Sequence, residues 1–203
     1  MIDVHSHIIP NVDDGARSVE ETFNILKEAK AVGFTDVILT SHFLLNYYET
    51  DAQELIFWKD KLQEVLDQRG PNIKLHSGME IYISNQMEEL MQKNKLLTLA
   101  NSRYMLIELP IASNVQYLDY VIYYLEAKGI KTIIAHPERY KCVQKDPSIV
   151  EEYIEKGCLM QCNYGSIVNL YGNEAEKTIK TLLKKNHCLL YTSPSPRDAH
   201  ESR

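Results

Sequence analysis

The sequence predicts an α/β fold in which parallel strands alternate with helices, with closure as a barrel favoured over an open sheet. Short apolar or β-branched runs recur along the chain, each followed by a stretch with helical spacing, as βαβ units with right-handed crossovers require. No Gly-x-Gly-x-x-Gly follows the first run and no Walker loop occurs, so nothing supports a nucleotide-binding open sheet. Residues able to hold a metal follow successive strands, at the end where the loops of a barrel converge.

Residues 2–5 form a short apolar start, and Pro10-Asn11-Val12-Asp13-Asp14-Gly15 is rich in turn formers, giving strand and then loop. Ser18-Val19-Glu20-Glu21 reads as a capping box; the stripe Phe23, Leu26, Ala29 and Ala31-Val32 continues the helix until Gly33 closes it. Asp36-Val37-Ile38-Leu39-Thr40 is a β-branched run typical of a buried parallel strand, and it delivers Ser41-His42. The pattern then repeats. A helix over 51–69 leads to a strand over 73–80, a helix near 85–94 to a strand over 104–108, and a helix near 115–128 ends at Gly129 before a strand over 130–135. A helix near 148–156 precedes a strand over 159–162, and 174–185 is a last amphipathic helix, for six strands in all. Tyr117, Tyr120, Tyr123 and Tyr124 are expected as a core-facing helix surface, and His76 as a packing histidine within its strand.

A chain of 203 residues fits one domain, and its 44% hydrophobic and 25% charged residues are ordinary globular values. No run of eighteen apolar residues exists to span a bilayer, so membrane insertion is not expected. The N-terminus lacks the basic start and apolar stretch of a secretory signal, and a cytoplasmic location is expected. A net charge of -6 argues against bulk nucleic-acid affinity. Cys142, Cys158, Cys162 and Cys188 form no Cys-x-x-Cys pair, which suits a reducing compartment. From Cys188 onward the chain resembles the in-frame translation of a sequencing adapter. The expected domain is therefore 1–187, with 188–203 an artefactual tail that replaces the last strand.

His5 and His7 follow the first strand, His42 the second, Glu80 ends the third, Glu108 the fourth, and His136 follows the fifth. In a barrel these residues, scattered over the chain, meet on one face. His-x-His at a strand end lets two imidazoles point the same way. Histidine and carboxylate donors without thiolate suit Mn²⁺, Fe²⁺ or Zn²⁺, and this many exceed one tetrahedral ion, so two or three ions are expected. Paired ions suit in-line hydrolysis of a phosphate ester. Arg139, three residues after His136, can offer its guanidinium fork to the phosphoryl oxygens.

With these residues in place, the chain resembles the polymerase and histidinol phosphatase (PHP) family, and within it the CpsB/CapC-type capsule-regulating tyrosine phosphatases of bacteria. The matching motifs are Met1-Ile2-Asp3-Val4-His5-Ser6-His7-Ile8, Val12-Asp13-Asp14-Gly15, Thr40-Ser41-His42, Glu80-Ile81-Tyr82, Ser102-Arg103-Tyr104 with Glu108, and Ile134-Ala135-His136-Pro137-Glu138-Arg139-Tyr140. The resemblance implies a distorted (β/α)₇ barrel, truncated here at its C-terminus. It also implies that His5, His7, Asp14, His42, Glu80, Glu108 and His136 bind up to three metals, usually manganese, with Arg139 touching phosphate. Asp14 enters only through the resemblance. The family closes its site with an Asp-x-His pair; Asp198-Ala199-His200 has that form but stands in the adapter-like tail, behind two prolines unsuited to a central strand. The implied substrate is phosphotyrosine on a bacterial tyrosine autokinase controlling capsule or exopolysaccharide synthesis. A small-molecule phosphatase or phosphodiesterase of the same superfamily, and a metal-binding fragment of impaired activity, stay open as alternatives. A cysteine phosphatase does not, since neither Cys142 nor Cys188 is followed by an arginine at the Cys-x₅-Arg offset.

Overall fold

In the computed structural model, residues 1–113, 115–188 and 190–192 are described. Strand β1 (Ile2–Ser6) leads through a loop to α1 (Val19–Ala31), then β2 (Asp36–Leu39), β3 (His42–Phe43) and α2 (Ala52–Arg69). Next come β4 (Lys74–Ser77), β5 (Glu80–Tyr82), α3 (Met87–Gln92), β6 (Tyr104–Glu108), α4 (Leu118–Ala127) and β7 (Lys131–Ala135). The chain continues with α5 (Lys141–Lys145), α6 (Ile149–Glu155), β8 (Leu159–Asn163), α7 (Tyr164–Ile167), α8 (Asn173–Lys184) and β9 (Leu190–Thr192). Every ladder between named strands is parallel. Short 3₁₀ turns at Leu99–Asn101 and Pro137–Arg139 complete the set.

Strand pairing divides the strands into a three-stranded sheet, β1-β2-β4, and a six-stranded sheet, β3-β5-β6-β7-β8-β9. Two strands expected to be continuous are each broken. The 36–40 run ends at Leu39 and resumes in the other sheet at His42, and the 73–80 run splits around Gly78-Met79 into β4 and β5. Gly78 has a steric reason: a Cβ there would come within 2.6 Å of Ile38 Cγ2. When each broken strand is counted once, the nine strands among the described residues make seven strand positions, the number in a (β/α)₇ arrangement. The seventh, β9, pairs in parallel with β8 through Gln161↔Leu190 and lies alongside β1. It falls beyond the expected boundary at 187; Asp198 and His200 lie outside the described residues.

Alternation along the strands sorts the core in two. Val37, Leu39, Ile81, Met105, Ile107, Ile134 and Met160 pack in the large cluster with helix residues such as Leu26, Leu55, Leu62, Val121 and Ile179. Ile38, Leu106, Ile133 and Ala135 point the other way and meet Val4, Leu159 and Leu190 in a small cluster drawn from both sheets. The strands therefore enclose an apolar layer of their own, the interior of a barrel-like body.

Helix caps follow the sequence closely. Ser18 Oγ accepts from Glu21 N at 3.1 Å, though Glu21 returns its carboxylate to Arg17 N at 2.7 Å, one residue earlier than a strict capping box. Asp51 caps α2 by accepting from Gln53 N and Glu54 N. Of the tyrosines expected to face the core, Tyr117 and Tyr124 pack partly buried against it, but Tyr120 and Tyr123 are 49% and 72% exposed, while Leu118, Val121, Ile122 and Leu125 supply the buried stripe. Rings with a polar tip yield the core to aliphatic neighbours one position away. His76 is no core residue either; its half-buried Nε2 pairs with Asp36 Oδ1 at 2.8 Å.

Candidate metal centre

Glu80 is the hub of the site. Parallel pairing sets it beside His42 on β3 and Leu106 on β6, and its side chain is almost wholly buried. Its Oε2 lies 3.0 Å from His5 Nε2, 3.0 Å from His7 Nε2 and 3.3 Å from His42 Nδ1, while Oε1 lies 3.0 Å from His136 Nε2. Glu108 reaches His42 Nδ1 and His136 Nε2 at 3.6 Å, and Asp14 Oδ1 stands 3.6 Å from His42 Nε2. All seven residues line one cavity of about 160 Å³, together with Arg139, Ile111 and Asn163.

Local backbone explains how each arrives. The β1–β2 ladder is irregular between Asp3 and Ser6, and His5 N donates to Asp3 Oδ1 at 3.3 Å. Such bulges re-aim side chains beside functional sites. Ser6 N donates to Thr40 Oγ1 at 2.8 Å and Thr40 N to Ser6 O at 2.9 Å, tying the ends of β1 and β2 just below His7 and His42. At the end of β7, His136 adopts the left-handed conformation (φ 31, ψ 57), strained for a residue with a Cβ. The 3₁₀ turn at Pro137–Arg139 and Tyr140 hold it: the Tyr140 hydroxyl donates to Ala135 O at 2.6 Å and accepts from Leu109 N at 2.9 Å, joining the ends of β6 and β7.

A second layer of groups orients the imidazoles. Asp13, expected only as a turn residue, is buried and accepts three bonds of 2.9 Å, from His7 Nδ1, His42 N and Gly15 N. Gln161 on β8 accepts from His5 Nδ1 at 2.8 Å. No spacing rule marks either residue. Two adjacent aspartates give no sign of which one turns inward; Gln161 sits among Leu159, Met160 and Cys162 on β8, and its polarity among them is the one available signal.

These second-layer bonds test whether the donors fit a metal. With both Nδ1 atoms committed as donors, the Nε2 lone pairs of His5 and His7 face one another at 2.9 Å and share Glu80 Oε2. Lone pairs aimed together at a buried carboxylate need a cation between them, either a metal or added protons. The electrostatics of the site make the same demand. Burial opposes charge on His5 and His7, yet Glu80 beside the first and Asp13 beside the second outweigh it and raise both. Burial lifts Glu80 less than His5 and His42 depress it, leaving it well below the carboxylate range. Burial, with the charge of Glu80, pushes Glu108 well up, while burial holds His136 down at about 4 and also lowers His42. Among the described residues, three donor sets have ligand atoms close enough to share an ion: His5/His7/Glu80, His7/Asp14/His42 and His42/Glu80/Glu108. The donors are nitrogen and oxygen throughout, and the sets share residues, as in a multinuclear cluster.

Comparison with known proteins adds independent findings. The chain matches the family described as "Capsular polysaccharide synthesis, CpsB/CapC" over residues 1–203. It is 30% identical to tyrosine-protein phosphatase YwqE of Bacillus subtilis over 186 residues, 92% of this chain and 73% of that one. With tyrosine-protein phosphatase CpsB of Streptococcus pneumoniae the identity is 32% over 163 residues, 80% of this chain and 67% of the other. Among solved structures, a chain from the crystal structures of YwqE and CpsB, described as unique metal-dependent tyrosine phosphatases, superposes with a TM-score of 0.91 and 27% identity. That superposition covers all of this chain and 84% of the other.

Proposed function

The chain belongs to the CpsB/CapC family, and we propose on that premise that it hydrolyses phosphotyrosine in a phosphoprotein by metal-dependent chemistry. The observation that supports this most is Glu80, met by nitrogens of four histidines within one cavity that Arg139 also lines. In this reading His5, His7, Asp14, His42, Glu80, Glu108 and His136 hold two or three divalent ions, taken as Mn²⁺ from the resemblance, with Fe²⁺ or Zn²⁺ equally compatible with the donors. Ions bound there supply Lewis acidity toward the phosphoryl group and a more acidic water. The protein's own part is orientation. Asp13 and Gln161 hold His7 and His5 in one tautomer, and Arg139 presents paired N–H donors to phosphoryl oxygens as charge moves onto them. A tyrosine phenolate, with a pKa of about 10, departs without a strong general acid.

The phosphoprotein in this proposal is a bacterial tyrosine autokinase that governs capsule or exopolysaccharide synthesis, met in the cytoplasm. The capsular description of the family supports the first part. Among the described residues the four cysteines form no disulfide, which suits a reducing compartment, and no helix there is long and apolar enough to cross a membrane. The test is hydrolysis of a phosphotyrosine peptide beside histidinol phosphate, before and after exhaustive chelation. We expect the peptide to be the better substrate, activity to vanish with the metal, and Mn²⁺ to restore it. Turnover persisting in metal-free protein refutes the mechanism, and preference for histidinol phosphate refutes the substrate.

A further inference from the structure

Glu138 is fully buried, two residues beyond His136, and contributes nothing to the donor cluster. Its Oε1 accepts from Asn163 N at 2.9 Å and from the Ser166 hydroxyl at 2.7 Å. Asn163 ends β8 and lines the cavity with Arg139, and its Nδ2 donates to the Tyr171 hydroxyl at 3.3 Å. The ring of Tyr171 in turn lies against Arg139, whose Cζ stands 4.5 Å from the ring centroid. The contacts close on themselves: Arg139 to Tyr171, Tyr171 to Asn163, Asn163 to Glu138, and Glu138 back to Arg139 through one peptide bond.

A buried carboxyl group is costly, and an apolar residue of that size would fill the space at less expense of free energy. What Glu138 does that an apolar residue cannot is to tie the turn carrying Arg139 to the segment carrying Asn163. Arginine is long and rich in rotamers, so a guanidinium that must meet a phosphoryl group in one pose gains from an aromatic surface that fixes its plane. We propose that Glu138, Asn163 and Tyr171 form a positioning circuit that holds the Arg139 guanidinium over the Glu80 cavity. The proposal rests on the reading of Arg139 as the phosphoryl contact. Glu138 and Tyr171 do not line the cavity and act through Arg139.

The test measures KM, kcat, metal content and the inhibition constant of inorganic phosphate for Glu138→Ala, Glu138→Gln, Tyr171→Ala and Arg139→Ala, and for each alanine variant combined with Arg139→Ala. Glu138→Ala should weaken phosphate inhibition and raise KM by roughly tenfold, as expected for a displaced positioning group. Tyr171→Ala should do so by about threefold, the scale of an exposed cation–π contact. Glu138→Gln retains the oxygen that accepts both bonds and should restore values to within about twofold. Without the Arg139 guanidinium, neither alanine substitution should add to the loss, and metal content should stay unchanged throughout. Equal losses with and without Arg139 overturn the proposal, as does metal loss in Glu138→Ala, which would mean that Glu138 acts through His136. If Glu138→Ala does not fold, Tyr171→Ala on the part-exposed rim decides by the same criteria. If Arg139→Ala alone leaves phosphate inhibition intact, the reading of Arg139 fails, a result distinct from additivity.

Discussion

Replacing Asp13 by asparagine removes one charge and keeps the shape, yet it should cripple metal binding. The carboxylate takes three N–H donors at 2.9 Å: His7 Nδ1, His42 N and Gly15 N. An asparagine offers one carbonyl oxygen and one amino group to the same three donors. With its oxygen toward Gly15, the amino group faces His7 and forces the other tautomer, which places a proton on the Nε2 that should bind metal. With its oxygen toward His7 and His42, the amino group opposes the Gly15 N–H, and a neutral acceptor replaces a charged one, where charge-assisted bonds are worth about 1.5–3 kcal/mol. Substitutions of this kind behind a metal-binding histidine cost about 10–100-fold in affinity, or about 1.4–2.7 kcal/mol. The assay is direct Mn²⁺ titration together with the Mn²⁺ dependence of p-nitrophenyl phosphate hydrolysis. Asp36→Asn serves as control, because Asp36 pairs with His76 outside the cluster. Wild-type Mn²⁺ affinity in Asp13→Asn would refute the claim that Asp13 sets the tautomer of His7.

Three further outcomes follow from the same geometry. Gly15→Ala should cost about 1–3 kcal/mol of stability and lower metal content, since its Cβ would fall 2.0 Å from His7 O and 2.6 Å from His7 Cβ; a wild-type melting temperature with full metal content contradicts this. Iodoacetamide should label the half-buried Cys142 first and spare Cys158, whose thiol burial pushes up to about 12, without loss of activity. Peptide mapping reads the site, and inactivation in step with labelling would reopen a thiol mechanism. Metal binding should release protons near neutral pH, because in metal-free protein Glu80 and Asp13 outweigh burial to keep His5 and His7 protonated above the ordinary histidine range. The sign is that affinity strengthens as pH rises through those raised values and weakens as it falls. Calorimetry in buffers of different ionisation enthalpy measures the release, and a binding heat independent of buffer would disprove it.

Much of the fold is legible in the residues. The helix predicted over 51–69 is Ala52–Arg69, and the strands over 104–108 and 130–135 are Tyr104–Glu108 and Lys131–Ala135, because capping residues, Gly129 and β-branched runs act locally. The broken strands are a different matter. A switch of sheet partner between Leu39 and His42, or between Ser77 and Glu80, leaves the local pattern of an extended apolar chain unchanged, and only Gly78 marks the place. Tyr120 and Tyr123 depart from the expected core face for a related reason, since helical spacing defines a face without saying which neighbour competes better for the core. At the site, the strand-end residues His42, Glu80, Glu108 and His136 were readable by position, and the structure brings them into one cavity. Asp13 and Gln161 were not, since a group that orients another through a single bond leaves no periodic trace.

The same alternation explains why the polar cluster sits where it does. Along β2 and β3, Val37, Leu39 and Phe43 face the helices, so Ile38 and His42 share the other face; along β4 and β5, Leu75, Met79 and Ile81 face the helices, and Glu80 falls opposite. The same parity holds for Leu106 with Glu108 on β6 and for Leu159 with Gln161 on β8. The β2–β3 run, β6 and β8 thus each contribute an apolar residue to the enclosed layer and, two or four positions later, a polar one, while on β4–β5 Gly78 precedes Glu80 on that face. The strand breaks leave this parity intact while moving His42 and Glu80 into register with each other in the second sheet. A carboxylate carried in on that register arrives above an apolar layer, almost wholly buried, with histidine nitrogens against both of its oxygens. In that setting the charge of Glu80 is met by a cation its histidines share, whether metal or added protons.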